Sequence, residues 1–285
     1  PGSAGSLPAS DQNSECLTPK RSHPVSNRKV AIVIPARYAS TRFPGKPLVK
    51  IAGMTMIERV YKQAQKCRYA NEVIVATDDD RIASVVNGFG GKVIMTRDDH
   101  PTGTDRLAEI ATKRADIDII VNVQGDEPLI DPATIDCAIQ PLLQDDALDM
   151  STIAARITCP EEIQSNSIVK VVRDQSGNAL YFSRFPIPFY RDINDSGLHS
   201  HFAHIGLYVY RRDVLLRLAS LPPTPLEQAE ALEQLRALEN GIRIRVVDVE
   251  KRSPAVDRPE DVDTVEAALA EASSKLVAAS SVPAP

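Results

Sequence analysis

Three short runs constrain this chain more than any other feature: "KVAIVIPA" from Lys29, "EVIVAT" from Glu72 and "DIIVNVQ" from Asp118. Each is apolar at nearly every position and rich in β-branched residues. A strand with one wet face alternates polar and apolar residues, whereas a run without alternation is buried on both faces. Between the runs lie the helical patterns "MIERVYKQAQK", "DRIASVVNGF" and "TDRLAEIATKRA". This alternation predicts parallel strands joined by right-handed crossovers, with helices on both faces. Ligands of such sheets collect beyond the carboxyl ends of the strands, so the loops that follow strands are where chemistry is expected.

The rhythm changes after about Asp131. "MSTIAARI", "IVKVVRD" and "ALYFSR" read as strands with "DQSGN" turn chemistry between two of them, the pattern of antiparallel hairpins. "HIGLYVYRR" and "IRIRVVDVE" resume strands, "PLEQAEALEQLRALENG" reads as one helix ending on Gly241, and "RPEDVDTVEAALAEA" as a helix with Pro259 in its first turn. The expected fold is α/β: a doubly wound, mostly parallel sheet with an inserted, smaller mixed-sheet lobe. We expect a single domain over 29–275, with a nucleotide-binding core at about 29–150 and 242–272 and a lobe at about 151–241. Residues 1–28 are rich in Ser, Pro and Asn and lack an apolar stretch, so they read as a disordered leader, not a signal peptide; 276–285 reads as a disordered tail.

The net charge of -5 argues against general nucleic-acid binding, and no run reaches the ~18 apolar residues of a membrane span. Cys16, Cys67, Cys137 and Cys159 are widely spaced without a CxxC pair, which fits neither a disulfide framework nor a structural zinc site and points to the reducing cytoplasm. Local charge is more informative. From Arg28 to Lys50 stand Arg28, Lys29, Arg37, Arg42, Lys46 and Lys50, with no acidic residue among them. An acidic chain with one basic island uses that island for a small anion.

The loop "RYASTRFPGKPLVK" is the centre of that island. It is not a P-loop, because Gly45-Lys46 is followed by Pro47 and Ser40 stands where the first glycine belongs. Gly88, Gly90 and Gly91 follow a helix at the wrong spacing for a dinucleotide fingerprint. Arg37, Arg42 and Lys46 nevertheless offer forked and point-charge donors to phosphate oxygens, unless the loop is simply a solvated basic one. In "IIVNVQGDEPLID" a strand ends on Gln124-Gly125-Asp126, where Asp126 either holds Mg²⁺ beside substrate phosphates or caps the turn. Asp257 in "AVDRPEDV" either supplies a second carboxylate or caps the last helix. Thr102, Gly103 and Thr104 open a helix and could face a base or ribose. His199, His201 and His204 lack the supporting spacing of a zinc site.

In order along the chain, "IPARYASTRFPGKPL", "ATDD", "HPTGTDRLAE", "VNVQGDEP", "VKVV", "ALYFSR", "PLEQAEALEQLR" and "AVDRPEDV" resemble the 3-deoxy-D-manno-octulosonate (Kdo) cytidylyltransferase family, from about Lys29 to Ala272. Position 102 is Thr where some members carry Ser, and "AVDRPED" replaces the commoner "GVDTPED"; neither removes a needed group. The resemblance implies a nucleotide-diphospho-sugar transferase-like fold, a homodimer, and the coupling of CTP with Kdo to give CMP-Kdo and pyrophosphate for lipopolysaccharide. It implies Arg37, Arg42 and Lys46 as triphosphate residues and Asp126 and Asp257 as catalytic ligands of Mg²⁺. Ala36, Ser40, Gly103, Thr104 and Gln124 fall at the nucleotide end, and Arg184, His204, Tyr208, Glu227 and Gln234 at the sugar-acid pocket. Two alternatives stand beside it: a cytidylyltransferase for another acidic sugar, and a non-catalytic nucleotide-binding paralogue.

Overall fold

The structure, a computed structural model, describes residues 28–39, 43–191 and 200–280, with side chains to 271. Ser40, Arg42 and His199, and the leader up to residue 27, lie outside the described residues. The first half runs β1 (Val30–Ala36), a 3-10 turn at Lys46–Leu48, the hairpin β2 (Lys50–Ile51) and β3 (Met54–Thr55), α1 (Met56–Ala64), β4 (Glu72–Thr77), α2 (Asp80–Gly88), β5 (Val93–Met95), α3 (Gly103–Lys113), β6 (Ile119–Asn122) and α4 (Pro132–Gln144). The second half runs β7 (Met150–Arg156), α5 (Pro160–Gln164), β8 (Lys170–Arg173), β9 (Ala179–Ser183), β10 (Phe202–Arg211), α6 (Arg212–Ser220), α7 (Pro225–Glu230), α8 (Gln234–Glu239), β11 (Ile244–Val249) and α9 (Asp261–Ser280).

The central sheet has the order β11-β7-β10-β6-β1-β4-β5. Pairs β1–β4, β1–β6, β4–β5 and β7–β11 are parallel, and β10 is antiparallel to both neighbours. The expected mostly parallel α/β sheet is what forms. The unalternating runs explain themselves: Ile32, Ile34, Val73, Val75 and Val121 face one core under α1, α2 and α4. Ala31, Val33, Ile74, Ala76 and Ile120 face a second core under α3, α6 and α8. Period-two side chains therefore enter two dry layers.

The segment 151–241 is shared out differently from a separate lobe. β7 and β10 run through the central sheet, and only the antiparallel β8–β9 hairpin leaves its main path, with β8 pairing the start of β10. The single helix expected from Pro225 is two. α7 ends on Ala231 at φ 51, and α8 begins at Gln234. α9 starts at Asp261, beyond Pro259, and continues to Ser280, past the position where a tail was expected. Cys67 and Cys159 are free thiols. Among the described residues no helix is long and apolar enough to cross a membrane.

Candidate active site

β1 has β4 on one side and β6 on the other, so the chain reverses its direction of winding at β1. A crevice opens at such a point beyond the strand ends. The basic loop leaves β1 there. Gly45 stands at φ 71, where a side chain would be strained and its Cβ would lie 3.3 Å from the Tyr38 ring. Its N–H donates to Tyr38 O at 2.9 Å, which folds the loop back and delivers Lys46 to the crevice.

Lys46 Nζ lies 2.8 Å from Asp126 Oδ2 and 3.6 Å from Asp257 Oδ1, and donates to Val256 O at 2.9 Å. Residues 46, 126 and 257 thus converge on one point. Gly125 permits it, since a Cβ there would sit 3.2 Å from Pro35 O. Val256 N–H donates to Asp126 O at 2.9 Å and docks the distant segment beside the first carboxylate. The apolar cluster of Ile51, Met56, Val256 and Val265 anchors it from behind. Asp257 is not the cap of α9. Asp261 does that work, accepting from Asp257 N and Arg258 N at 2.8 Å each, and the Asp257 carboxylate is left to face Lys46. Nor does Asp126 merely cap its turn, since its carboxylate faces Lys46.

Arg37, directly after the buried Ala36, keeps its Nη2 buried without a hydrogen-bond partner among the described residues. Beside it is a residue the sequence reading passed over. Arg106 of α3 is fully buried, contacts Thr96 Oγ1, and lies 3.2 Å from Asp78 Oδ1. Its Nε and Nη2 have no hydrogen-bond partner among the described residues. Burial, reinforced by Arg37, lowers its pKa despite the opposing pull of Asp78. Two neighbouring guanidiniums with unspent N–H groups form a receptor for an acceptor-rich ligand. The motif "GTDRLAE" contained Arg106, but spacing alone marked it as an ordinary helix start.

Thr102 caps α3 in a reciprocal box with Asp105, placing Gly103 and Thr104 in the first helical turn. Thr102 and Thr104 donate their hydroxyls to the two oxygens of Glu233, at 3.0 and 2.8 Å. Glu233, also missed from sequence, thereby ties the start of α8 to the crevice and lies near the partly buried Tyr208 and the buried Tyr210, whose pKa values desolvation raises. Gln234 follows it and is buried. Gln124 donates Nε2–H to Gly206 O at 3.0 Å, linking the end of β6 to β10, which carries His204 and Tyr208. Their rings are 5.3 Å apart.

Two residues expected in the sugar-acid pocket are placed elsewhere in the hydrogen-bond network. Glu227 caps α7 with Thr224 and is paired with Arg236, an interaction that lowers its pKa against the opposing effect of burial. Arg184 donates Nε–H to Glu230 O, Nη1–H to Asn166 O and Nη2–H to Ala231 O, so its guanidinium clamps the end of β9 to α7. Among the described residues no three His, Cys, Asp or Glu side chains are arranged to hold a metal. His201 meets Pro188 O while His204 meets Thr152.

A family model for cytidylyltransferases matches residues 31–244. A 3-deoxy-manno-octulosonate cytidylyltransferase of Geobacter sulfurreducens is 56% identical over 244 residues, 83% of this chain and 97% of that protein. The chain belongs to the 3-deoxy-manno-octulosonate cytidylyltransferase family. The Syntrophotalea carbinolica relative of the same name is also 56% identical, over 84% of this chain and 98% of its own. A solved CMP:2-keto-3-deoxy-manno-octonic acid synthetase complexed with CTP is 46% identical and superposes with a TM-score of 0.81, covering 85% of this chain and 99% of that one. The family model therefore spans the basic loop, Lys46 and Asp126, and ends before Asp257.

Proposed function

We propose that this enzyme transfers the cytidylyl group of CTP to the anomeric hydroxyl of Kdo, releasing pyrophosphate and CMP-Kdo for lipopolysaccharide synthesis. The observation that carries the reading is the convergence of Lys46, Asp126 and Asp257 at the switch point, in a chain of this family. Both substrates are anionic, so the chief barrier is bringing like charges together. Arg37 and Lys46, with Arg42 from outside the described residues, neutralise the triphosphate and the charge that develops on leaving pyrophosphate. Ala36, Gly103 and Thr104 border the nucleoside, with Ser40 expected beside them, and Gln124, at the border of the nucleoside end, reaches across to β10 and the sugar-acid side. His204, Tyr208 and Gln234 belong to the sugar-acid side, and Glu233 joins them in place of Glu227. Catalysis is positioning plus electrostatics, without a covalent enzyme intermediate.

Magnesium is the proposed cofactor, and the donor set fits it. Two carboxylates already converge on one cationic centre, the Lys46 ammonium, and magnesium needs only one or two carboxylates beside phosphates and water. Asp126 and Asp257 would hold it. Bound there, it would offset substrate repulsion and make the attacking hydroxyl more acidic. Lys46 would exchange its carboxylate contacts for phosphate oxygens.

A homodimer is part of the reading, supported by the exposed Leu180, Phe185 and Phe189 clustered at and beyond β9. We place the enzyme in the cytoplasm, where CTP is made. Pyrophosphate release with CTP, Mg²⁺ and a panel of sugar acids tests the whole reading. Release with Kdo above all others supports it. Release with a different acidic sugar alone, or with none, overturns it.

A further inference from the structure

The sugar-acid side of the crevice contains a register fault. Along β10, Ile205 pairs with Ile153 and Tyr208 with Thr152, so Gly206 and Leu207 have no counterpart on β7. Such a bulge turns backbone carbonyls out of the ladder, and buried carbonyls need donors. Two side chains supply them. Thr152 Oγ1, fully buried on β7, lies 2.7 Å from Leu207 O and 3.3 Å from Ile205 O. Gln124 Nε2 reaches Gly206 O.

The hydroxyl of Thr152 has one proton, and it must go to a carbonyl that can only accept. The same oxygen is 2.9 Å from His204 Nε2. Having given its proton to Leu207 O, it can only receive from the imidazole. Nε2 therefore carries a hydrogen. Burial pushes the His204 pKa down to about 3, so the ring is neutral at physiological pH and has a single N–H. Nδ1 is then a bare lone pair, with no partner among the described residues, on a side chain that is partly exposed. The same logic orients Gln124: with its NH₂ on Gly206 O, Oε1 is turned away, also without a partner among the described residues.

We infer that Thr152 is a positioning residue for sugar-acid recognition: by satisfying the β10 bulge it locks His204 as the Nε2–H tautomer, so that the site meets the substrate with two obligate acceptors, His204 Nδ1 and Gln124 Oε1. Acceptors of this kind select hydroxyl donors and reject groups that can only accept, such as a fluorine or methyl ether in place of a contacted hydroxyl. The substrate assignment rests on the function proposed above; the tautomer does not.

The experiment has two arms. Two-dimensional ¹⁵N–¹H spectra of ¹⁵N-histidine-labelled, substrate-free wild-type protein read the tautomer directly. We expect His204 as neutral Nε2–H in wild type and Thr152→Ser, and loss of that fixed state in Thr152→Val. Kinetics form the second arm. Thr152→Val should raise KM for Kdo ~10-fold, as loss of one oriented hydrogen bond predicts, with KM for CTP within about twofold and Thr152→Ser restoring the wild-type value. An Nδ1–H tautomer in wild type, or equal shifts in both KM values, would overturn the inference. If Thr152→Val does not fold, the wild-type spectrum and the Thr152→Ser kinetics decide it. Wild-type protein silent with every sugar acid would sink the functional reading instead, and the spectrum would still settle the tautomer.

Discussion

At the scale of residues, the site depends on charges that face one another without cancelling. Asp126→Asn and Asp257→Asn each keep the shape of the side chain and remove half of the pair that faces Lys46. Each is expected to lower turnover ~10²-fold or more while CTP still binds, since the lost interaction belongs to the transition state. Pyrophosphate release with parallel CTP titration checks this, and near-normal turnover in both variants would remove the magnesium assignment. Lys46→Ala should raise KM for CTP well above any change in KM for Kdo; equal changes would count against a phosphate role. Lys46, Asp126 and Asp257 could be picked out in the sequence because Gly45 and Pro47 flank the first, Gly125 precedes the second and Pro259 stands two residues after the third. Arg106 and Glu233 could not. Each occurs in a good helical pattern, where a charged residue ordinarily faces water, and only packing shows that Arg106 has none.

At the scale of elements, the decisive event is the docking of residues 253–261 against the end of β6. One backbone hydrogen bond from Val256 and the small cluster of Ile51, Met56, Val256 and Val265 hold it. Val256→Ala is expected to cost about 1–3 kcal/mol through the cavity it opens, and to lower turnover beyond what lost stability explains, because Asp257 follows directly. Urea unfolding and single-turnover rates on the folded variant separate the two effects. On the far edge of the sheet, Glu72 at the start of β4 meets Arg114 and Lys92. Burial alone would raise its pKa, but hydrogen bonds from Arg114 and Lys92 outweigh it and hold the carboxyl at about 2. A carboxylate with a depressed folded pKa stabilises above its unfolded value, near 4.5, and that contribution is lost as the pH falls toward 2. Glu72→Gln should therefore cost about 1–3 kcal/mol at pH 7 after allowance for solvent screening, and visibly less at pH 3. A cost independent of pH would mean packing, not charge, holds the edge.

At the scale of the whole molecule, one continuous sheet carries both halves of the site. The proposed nucleotide side lies beyond β1, β4 and β6, the proposed sugar-acid side lies along β10, and Gln124 and Glu233 link the two regions. Phe185 and Phe189, 75% and 87% exposed, are the apolar side chains on which the dimer proposal rests. A Phe185→Ser, Phe189→Ser double variant is expected to shift the sedimenting species from dimer to monomer. A wild type that sediments as a monomer at micromolar concentration would end the dimer proposal.

The sequence by itself determined the parallel layers and the strand-end loops, and narrowed each of the two carboxylates to a cap or a metal ligand. Unbroken β-branched runs are buried on both faces, and a basic loop without a nucleotide fingerprint still offers its donors to an anion. Tertiary structure alone decided the rest. It split the helix after Pro225 because Glu227 and Glu233 are drawn to Arg236 and to Thr102 and Thr104. It gave the capping role to Asp261 and released Asp257 to the crevice. It made Thr152 matter through a bulge in a neighbouring strand. Each of these depends on contacts between residues distant in the chain, and local periodicity carries no record of which carboxylate a folded neighbour will claim.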